Sequence, residues 1–233
     1  MFRFKQFSVD QTGCAMKINT DGILLGALAE ADAPKSILDI GTGTGVIALM
    51  LAQRYADAMI DAVEIDKSAA ETAERNFKNS IFHERLNIHP VDIFEFDGNV
   101  ERKYDLIISN PPFYTNSLES PAKRKTLAKH TEASFFEMLL KSIAWFLASK
   151  GCCWLILSMD AAIELKPLIK QNGMCLSGTI NIHSYPHAAP HRVILCFGFN
   201  EISQQTSNLT IYNTVGVYSE EYQKLLKPYF IIF

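Results

Sequence analysis

Seven short apolar runs are spaced along the chain: Ser36 to Ile40, Ile60 to Glu64, Leu86 to Val91, Tyr104 to Ile108, Cys152 to Ser158, Gly178 to Ile182 and Arg192 to Phe199. Stretches of helical period fill the gaps between the first five. Strand and helix in repeated alternation predict a mostly parallel sheet with helices on both faces, because right-handed crossovers allow little else. The expected fold is therefore α/β and Rossmann-like, with seven strands. Only Ser184 to His191, or a little more, separates the last two runs, too few residues for a helical crossover, so they predict an antiparallel terminal hairpin. A typical dinucleotide dehydrogenase half lacks that hairpin. One domain over 1–233 is expected, with an N-terminal extension and helix at 1–33, a catalytic core at 34–200 and a C-terminal extension at 201–233.

Capping chemistry predicts where two helices start. Ser68-Ala-Ala-Glu71 and Ser134-Phe-Phe-Glu137 both have the S-x-x-E form that satisfies free N–H groups at a helix start, and each opens an amphipathic segment. Pro167 falls inside the helical stretch from Asp160 to Gln171, which predicts a kink or a later start.

Composition excludes several classes. No apolar stretch approaches the ~20 residues that cross a bilayer, and the N-terminus Met-Phe-Arg-Phe-Lys-Gln-Phe lacks a signal-peptide core, so no membrane partner and a cytoplasmic location are expected. The five cysteines, Cys14, Cys152, Cys153, Cys175 and Cys196, contain no Cys-x-x-Cys pair; they predict neither a disulfide framework nor a metal site. No obligate protein partner is indicated.

Directly after the first strand comes Leu38-Asp-Ile-Gly-Thr-Gly-Thr-Gly45, followed by a helix apolar on almost every side. Open α/β sheets bind ligands at the carboxyl ends of their strands, and glycines there let backbone touch ligand. Gly41, Gly43 and Gly45 are thus expected to line a cofactor. Their G-x-G-x-G spacing is one residue short of the pattern that seats a pyrophosphate. Glu64, ending the next strand, is the expected acceptor for ribose hydroxyls; Asp66 either shares that role or opens the following helix. Asp92, after the third strand, is placed to accept from an adenine amine or to sit solvated in its loop.

At the end of the fourth strand the chain reads Ser109-Asn110-Pro111-Pro112-Phe113-Tyr114. Prolines fix φ and remove backbone donors, so this segment is stiff and presents carbonyls. An exocyclic amine conjugated to a base is a poor nucleophile. Two acceptors, the Asn110 side-chain oxygen and the Pro111 carbonyl, are suited to grip its hydrogens and turn the lone pair toward a methyl donor. Phe113 supplies a stacking face for an extruded base.

The D-x-G-x-G-x-G and N-P-P-F segments together resemble the class I S-adenosylmethionine-dependent methyltransferases that modify exocyclic or amide nitrogens. A closer likeness comes from Met16-Lys-Ile-Asn-Thr-Asp-Gly-Ile-Leu-Leu-Gly26, Ala128-Lys-His-Thr131 and Tyr218-Ser-Glu-Glu-Tyr222, an arrangement similar to the bacterial tRNA (valine) adenine(37)-N6 methyltransferase family. The chain departs from that pattern at Lys129, where Arg is expected, and in its closing Lys-Pro-Tyr-Phe-Ile-Ile-Phe. The resemblance implies S-adenosylmethionine as cofactor and a tRNA substrate. It implies that Asp39 and the loop glycines approach the methionine part, Glu64 the ribose and Asp92 the adenine. Asn110, Pro111, Pro112 and Phe113 would form the reaction centre. Thr20 contacts the methionine carboxylate or serves only as a helix N-cap. Guanine N2 in ribosomal RNA and a protein glutamine amide remain open as acceptors, since N-P-P-F does not separate them. A catalytically idle RNA-binding module keeping the fold is the reading from a different class.

A net charge of −3 argues against an RNA-binding face over the whole surface. Local distribution points the other way. Lys123, Arg124, Lys125 and Lys129 fall between Pro121 and His130 without an acidic residue, beside the proposed reaction centre and its Tyr114. Arg3 and Lys5, interleaved with Phe2, Phe4 and Phe7, make a second small basic and aromatic cluster. Arg192 and the Tyr185 to His191 loop are further candidates to reach substrate. The histidines there, with no cysteine or carboxylate at ligand spacing, are not read as a metal site.

Overall fold

A computed structural model describes residues 1–97, 102–111 and 121–233, with backbone alone over 121–133. In chain order the elements are β1 (Phe2–Arg3), β2 (Ser8–Val9), α1 (Thr20–Leu28), β3 (Ser36–Ile40), α2 (Val46–Arg54), β4 (Met59–Val63), α3 (Lys67–Lys78), β5 (Leu86–His89) and β6 (Tyr104–Ser109). There follow α4 (Pro121–Phe146), β7 (Leu147–Leu157), α5 (Met159–Gln171), β8 (Cys175–His183), β9 (Arg192–Gly198), β10 (Gln205–Thr210), β11 (Tyr212–Thr214), β12 (Val217–Tyr218) and α6 (Glu220–Leu226).

The central sheet runs β10-β8-β9-β7-β6-β3-β4-β5. From β7 through β5 every pairing is parallel, as the alternating pattern requires. The last two sequence-predicted strands do pair antiparallel, and β9 inserts between β8 and β7, antiparallel to both. Because β8 opposes β9 and β9 opposes β7, β8 runs the same way as β3 and β6. So does β10, which is parallel to β8. The carboxyl ends of β3, β6, β8 and β10 therefore share one rim with the amino end of β9.

Successive residues of the central strands enter opposite cores. Ile37, Leu106 and Ile108 pack toward Leu24, Leu49, Met50 and Leu226, while Leu38 and Ile107 pack toward Leu139, Leu140, Ile143 and Leu165. Burial on both faces is why these strands read as continuous apolar runs.

Several boundaries differ from the sequence expectation. The sheet has eight strands rather than seven: β10, Gln-Thr-Ser-Asn-Leu-Thr, is a mostly exposed edge strand with no apolar run to announce it. β5 ends at His89 instead of Val91, since Pro90 has no N–H to donate to a neighbour. The third helix is capped by Asp66, whose carboxylate accepts from Ala69 N, and not by Ser68. Ser134 lies inside α4, which starts at Pro121, so Ser134-Phe-Phe-Glu137 is not a helix start. Helix α5 passes through Pro167 and begins at Met159 behind a Ser158 cap.

The chain termini pack on each other. Phe4 and Phe7 are buried and stacked, with Phe4 bridged to Phe230, and the Lys5 ammonium donates to the carbonyls of Lys227 and Phe233. The N-terminal aromatic and basic cluster thus closes the two ends of the chain on each other. Among the described residues no helix is long and apolar enough to cross a membrane.

Candidate functional site

The loop leaving β3 carries three glycines in the left-handed region, Gly41 (φ 70°), Gly43 (φ 57°) and Gly45 (φ 80°). Their surroundings separate them. A Cβ placed on Gly41 or Gly43 meets nothing within 4 Å, so both open onto empty space. A Cβ on Gly45 would lie 2.5 Å from Phe77 Cε1. Gly45 is therefore a packing residue that lets α3 approach the loop, and it is not among the residues that line the hollow above it. Asp39 differs as well. It is fully buried beneath the loop, where one carboxylate oxygen accepts from the Thr42 hydroxyl at 2.6 Å and the other has no hydrogen-bond partner among the described residues. Burial, reinforced by the nearby Glu64 charge, pushes its pKa up to about 7. It shapes the loop from below and is not among the residues that line the hollow.

Above the loop lies a hollow of about 340 Å³, within the size range of small-molecule sites. Gly41 and Gly43 form its floor, Glu64 and Asp92 its sides, and Asn110 and Pro111 its far rim. Glu64 is nearly buried, its two carboxylate oxygens accepting from Gly43 N at 2.8 Å and Asp66 N at 2.9 Å. Each oxygen keeps a lone pair for a hydroxyl donor. The Asp92 carboxylate accepts from Phe94 N at 3.0 Å, which fixes the loop beyond β5. Asp66 also borders the hollow, but its carboxylate caps α3, so the helix-opening role expected as its alternative is the one it fills.

Asn110 directly follows β6, which lies beside β3, and the Ser109 hydroxyl ties the two strands by donating to Ile40 O at 2.8 Å. Helix α1 approaches from the other side: a Cβ on Gly22 would lie 3.8 Å from Asn110 Nδ2. The Asn110 Oδ1 atom is buried and has no hydrogen-bond partner among the described residues. An unpaired acceptor there is costly to leave unmade, and it sits on the rim of the hollow.

Two groups of lining residues were not among the expected site residues. Cys14, Ala15 and Met16 cover one side because the preceding segment is pinned to α3, with Asn76 Nδ2 donating to Asp10 O and the Thr72 hydroxyl to Thr12 O. Phe135 reaches the hollow from α4 and meets Phe94 edge-on. Both contacts join residues far apart in the chain, which periodicity cannot reveal.

Other expected site residues are placed elsewhere. Thr20 is exposed in the first turn of α1, and the cap is Asn19, whose side chain accepts from Gly22 N. Arg192 Nε donates to Asp21 Oδ2 at 2.8 Å, joining β9 to α1 on the same rim as Asn110. Pro112, Phe113 and Tyr114 lie outside the described residues, as do the side chains of Lys123, Arg124, Lys125, Lys129 and His130. No cluster of metal-ligating side chains occurs among the described residues.

Residues 17–171 match the methyltransferase small domain family. The chain is 47% identical over 232 residues to a tRNA1(Val) (adenine(37)-N6)-methyltransferase of Pedobacter heparinus, covering 100% of this chain and 98% of that one. A protein of the same name from Phocaeicola vulgatus is 41% identical over 99% of this chain and 97% of its own length. Among solved structures, a predicted O-methyltransferase from Agrobacterium tumefaciens superposes with a TM-score of 0.70 at 18% identity, covering 90% of this chain and 96% of that one. A ribosomal protein L11 methylase from Lactobacillus delbrueckii subsp. bulgaricus gives a TM-score of 0.53 at 15% identity, over 77% and 78% of the two chains. These structures speak to the fold alone; their acceptors differ, as expected of a scaffold whose chemistry resides in local sites.

Proposed function

The chain belongs to the methyltransferase small domain family and its tRNA1(Val) (adenine(37)-N6)-methyltransferases, and on that premise we propose that it methylates the exocyclic N6 of adenine 37 in a valine tRNA, in the cytoplasm. It is a Rossmann-like enzyme that uses S-adenosylmethionine.

The residues around the hollow fit that cofactor. The floor at Gly41 and Gly43 is open where any side chain would fill it, and Glu64 and Asp92 bring two carboxylates to the ends of β4 and β5. Glu64 would hold the ribose hydroxyls, Asp92 the adenine amine, and Gly41 and Gly43 would let backbone lie against the methionine part. When bound, S-adenosylmethionine supplies a methyl group already activated by its sulfonium.

The observation that carries the reading is the unpartnered Asn110 Oδ1 at the rim of that hollow. The chain's own task is positioning and charge placement. Asn110 Oδ1 and the Pro111 carbonyl accept the two amine hydrogens, which favours pyramidal nitrogen and frees its lone pair. A strong general base before attack is unnecessary, since the neutral amine is the nucleophile and the proton of the methylated nitrogen passes to water once the new bond has formed. Phe135 and the segment Cys14 to Met16 wall the hollow with largely apolar surface and limit water there.

Asn110→Ala is expected to abolish methyl transfer while leaving cofactor affinity by calorimetry nearly unchanged. Intact turnover in that variant would remove the role given to Asn110. For the acceptor, nucleoside mass spectrometry of total tRNA from cells with and without this gene should show loss of N6-methyladenosine only in the latter.

A further inference from the structure

A run of tyrosines lies on the same rim as Asn110, beyond the hollow. Tyr185, Tyr212, Tyr218 and Tyr222 form a ladder with successive ring centroids 5.8, 4.9 and 5.0 Å apart, the last two pairs stacked within 22°. The strands explain their placement. Tyr185 follows the carboxyl end of β8, Tyr212 follows that of β10, and Tyr218 pairs with Tyr212 in the β11–β12 hairpin. Both strands point the same way as β6, whose carboxyl end leads into Asn110.

Burial grades along the ladder. Tyr222 is buried, Tyr212 and Tyr218 are half-buried, and Tyr185 is exposed, with exposed Val215 and Val217 on the neighbouring hairpin. The loop bearing Tyr185 is braced. His183 Nδ1 lies 2.8 Å from Ala188 O, the position of a donated hydrogen bond, and Tyr212 N donates to Ser184 O. A partly exposed aromatic ring backed by half-buried rings is ready to stack with small loss of conformational entropy.

Between the ladder and the reaction centre, the same rim carries the junction of β9 with α1. Arg192, at the amino end of β9 and one residue past His191, pairs with Asp21 in the first turn of α1, and the next residue of that turn, Gly22, faces Asn110. In sheet order β8 stands three strands from β6, about 14 Å at the usual ~4.8 Å spacing. Acidic residues near the ladder are few: Glu201 lies before β10, at the opposite end of that strand from Tyr212, and Glu220 and Glu221 are exposed in the first turn of α6, at the Tyr222 end of the ladder and away from Tyr185 in sequence.

We propose that Tyr185 and the ladder behind it form a stacking platform for an unpaired nucleobase adjacent to the methylated adenine in the anticodon loop. This rests on the tRNA reading above. Every base offers a π-face, so such a platform would hold the strand and let the target base swing toward Asn110 without reading sequence. Neutral aromatic surface also lets a chain of net charge −3 grip RNA with few phosphate contacts.

The test pairs a protein change with an RNA change. Full-length wild type, Tyr185→Ala and Tyr185→Trp are titrated against a fluorescein-labelled anticodon stem-loop of a valine tRNA, and against the same stem-loop with abasic sites flanking the target adenine. Wild type should bind the abasic loop about tenfold more weakly than the intact one. Tyr185→Ala should bind both equally at the weaker level, and Tyr185→Trp should restore the difference. All three should keep the same S-adenosylmethionine affinity. Wild-type affinity in Tyr185→Ala, an equal loss on both RNAs, or no RNA binding by wild type overturns the platform. Methyl transfer to the intact stem-loop is measured alongside: its absence would sink the tRNA reading, whereas the platform is judged on binding alone.

Discussion

Gly43→Ala and Gly45→Ala pose nearly the same backbone problem and opposite packing problems. Both residues have φ between 57° and 80°, so each alanine carries the left-handed penalty of about 1–2 kcal/mol. At Gly43 the new methyl meets nothing within 4 Å, and that penalty is the whole cost to the fold. At Gly45 it would come within 2.5 Å of Phe77 Cε1 and 3.0 Å of Cζ, on a ring that is itself buried. Overpacking of that kind adds about 1–3 kcal/mol. For a domain of this size 1 kcal/mol moves Tm by roughly 2–4 °C, so Gly43→Ala should melt about 2–8 °C below wild type and Gly45→Ala about 4–20 °C below. Cofactor binding should reverse the order. The methyl on Gly43 occupies the floor of the hollow and should weaken S-adenosylmethionine binding at least tenfold, while Gly45→Ala, measured well below its Tm, should lose less. Thermal melts and isothermal calorimetry on the two variants decide it. Equal destabilisation, or wild-type cofactor affinity in Gly43→Ala, would refute the division of the loop into floor and packing residues.

Glu64→Gln keeps the shape of the side chain but turns an NH₂ toward one of the two backbone N–H groups it now accepts, at Gly43 or Asp66. A melt lowered by the equivalent of about 1–3 kcal/mol and S-adenosylmethionine affinity lowered roughly 10- to 100-fold by calorimetry are expected. Asp39 gives a pH dependence. Its folded pKa is raised from 3.8 to about 7, so between those values the native state binds a proton that the unfolded chain has released, and stability falls as pH rises through that window. Melts of wild type from pH 4 to 8 should decline relative to Asp39→Asn; parallel curves would show that Asp39 is ionised throughout.

The parts of this protein legible in its sequence are those whose physics is local. The parallel core announced itself because strands buried on both faces are apolar without interruption. The glycine loop did so because positive φ requires glycine. What failed was tertiary in origin. Nothing in Gly41-Thr-Gly-Thr-Gly45 tells which glycine faces a ligand and which faces Phe77; that depends on where α3 packs. Ser68 and Asp66 are both good caps, and the choice went to the residue that the β4 exit places in extended conformation. β10 is a polar edge strand and has no alternation to detect. Cys14 to Met16 and Phe135 reach the hollow from segments tens of residues away from the motifs that define it.

The unpaired acceptor at Asn110 also separates a catalytic residue from a structural one. Three buried side-chain oxygens lack a partner among the described residues: Asp39 Oδ1, Gln53 Oε1 and Asn110 Oδ1. Gln53 lies on α2, where its Nε2 donates to Pro228 O, remote from the chemistry. The other two lie under and beside the hollow, and an orphaned buried acceptor costs about 1–3 kcal/mol until a donor arrives. If Asn110 is held in that state for a substrate amine, truncating it removes a cost from the free protein. Asn110→Ala should then melt at or slightly above the wild-type Tm while losing turnover, a trade expected where function and stability oppose each other. A structural asparagine would behave differently: its loss would lower Tm by several degrees together with activity. Differential scanning calorimetry of the ligand-free variant distinguishes the two, and a clear drop in Tm would mean that Asn110 holds the fold together, leaving the amine grip without its acceptor.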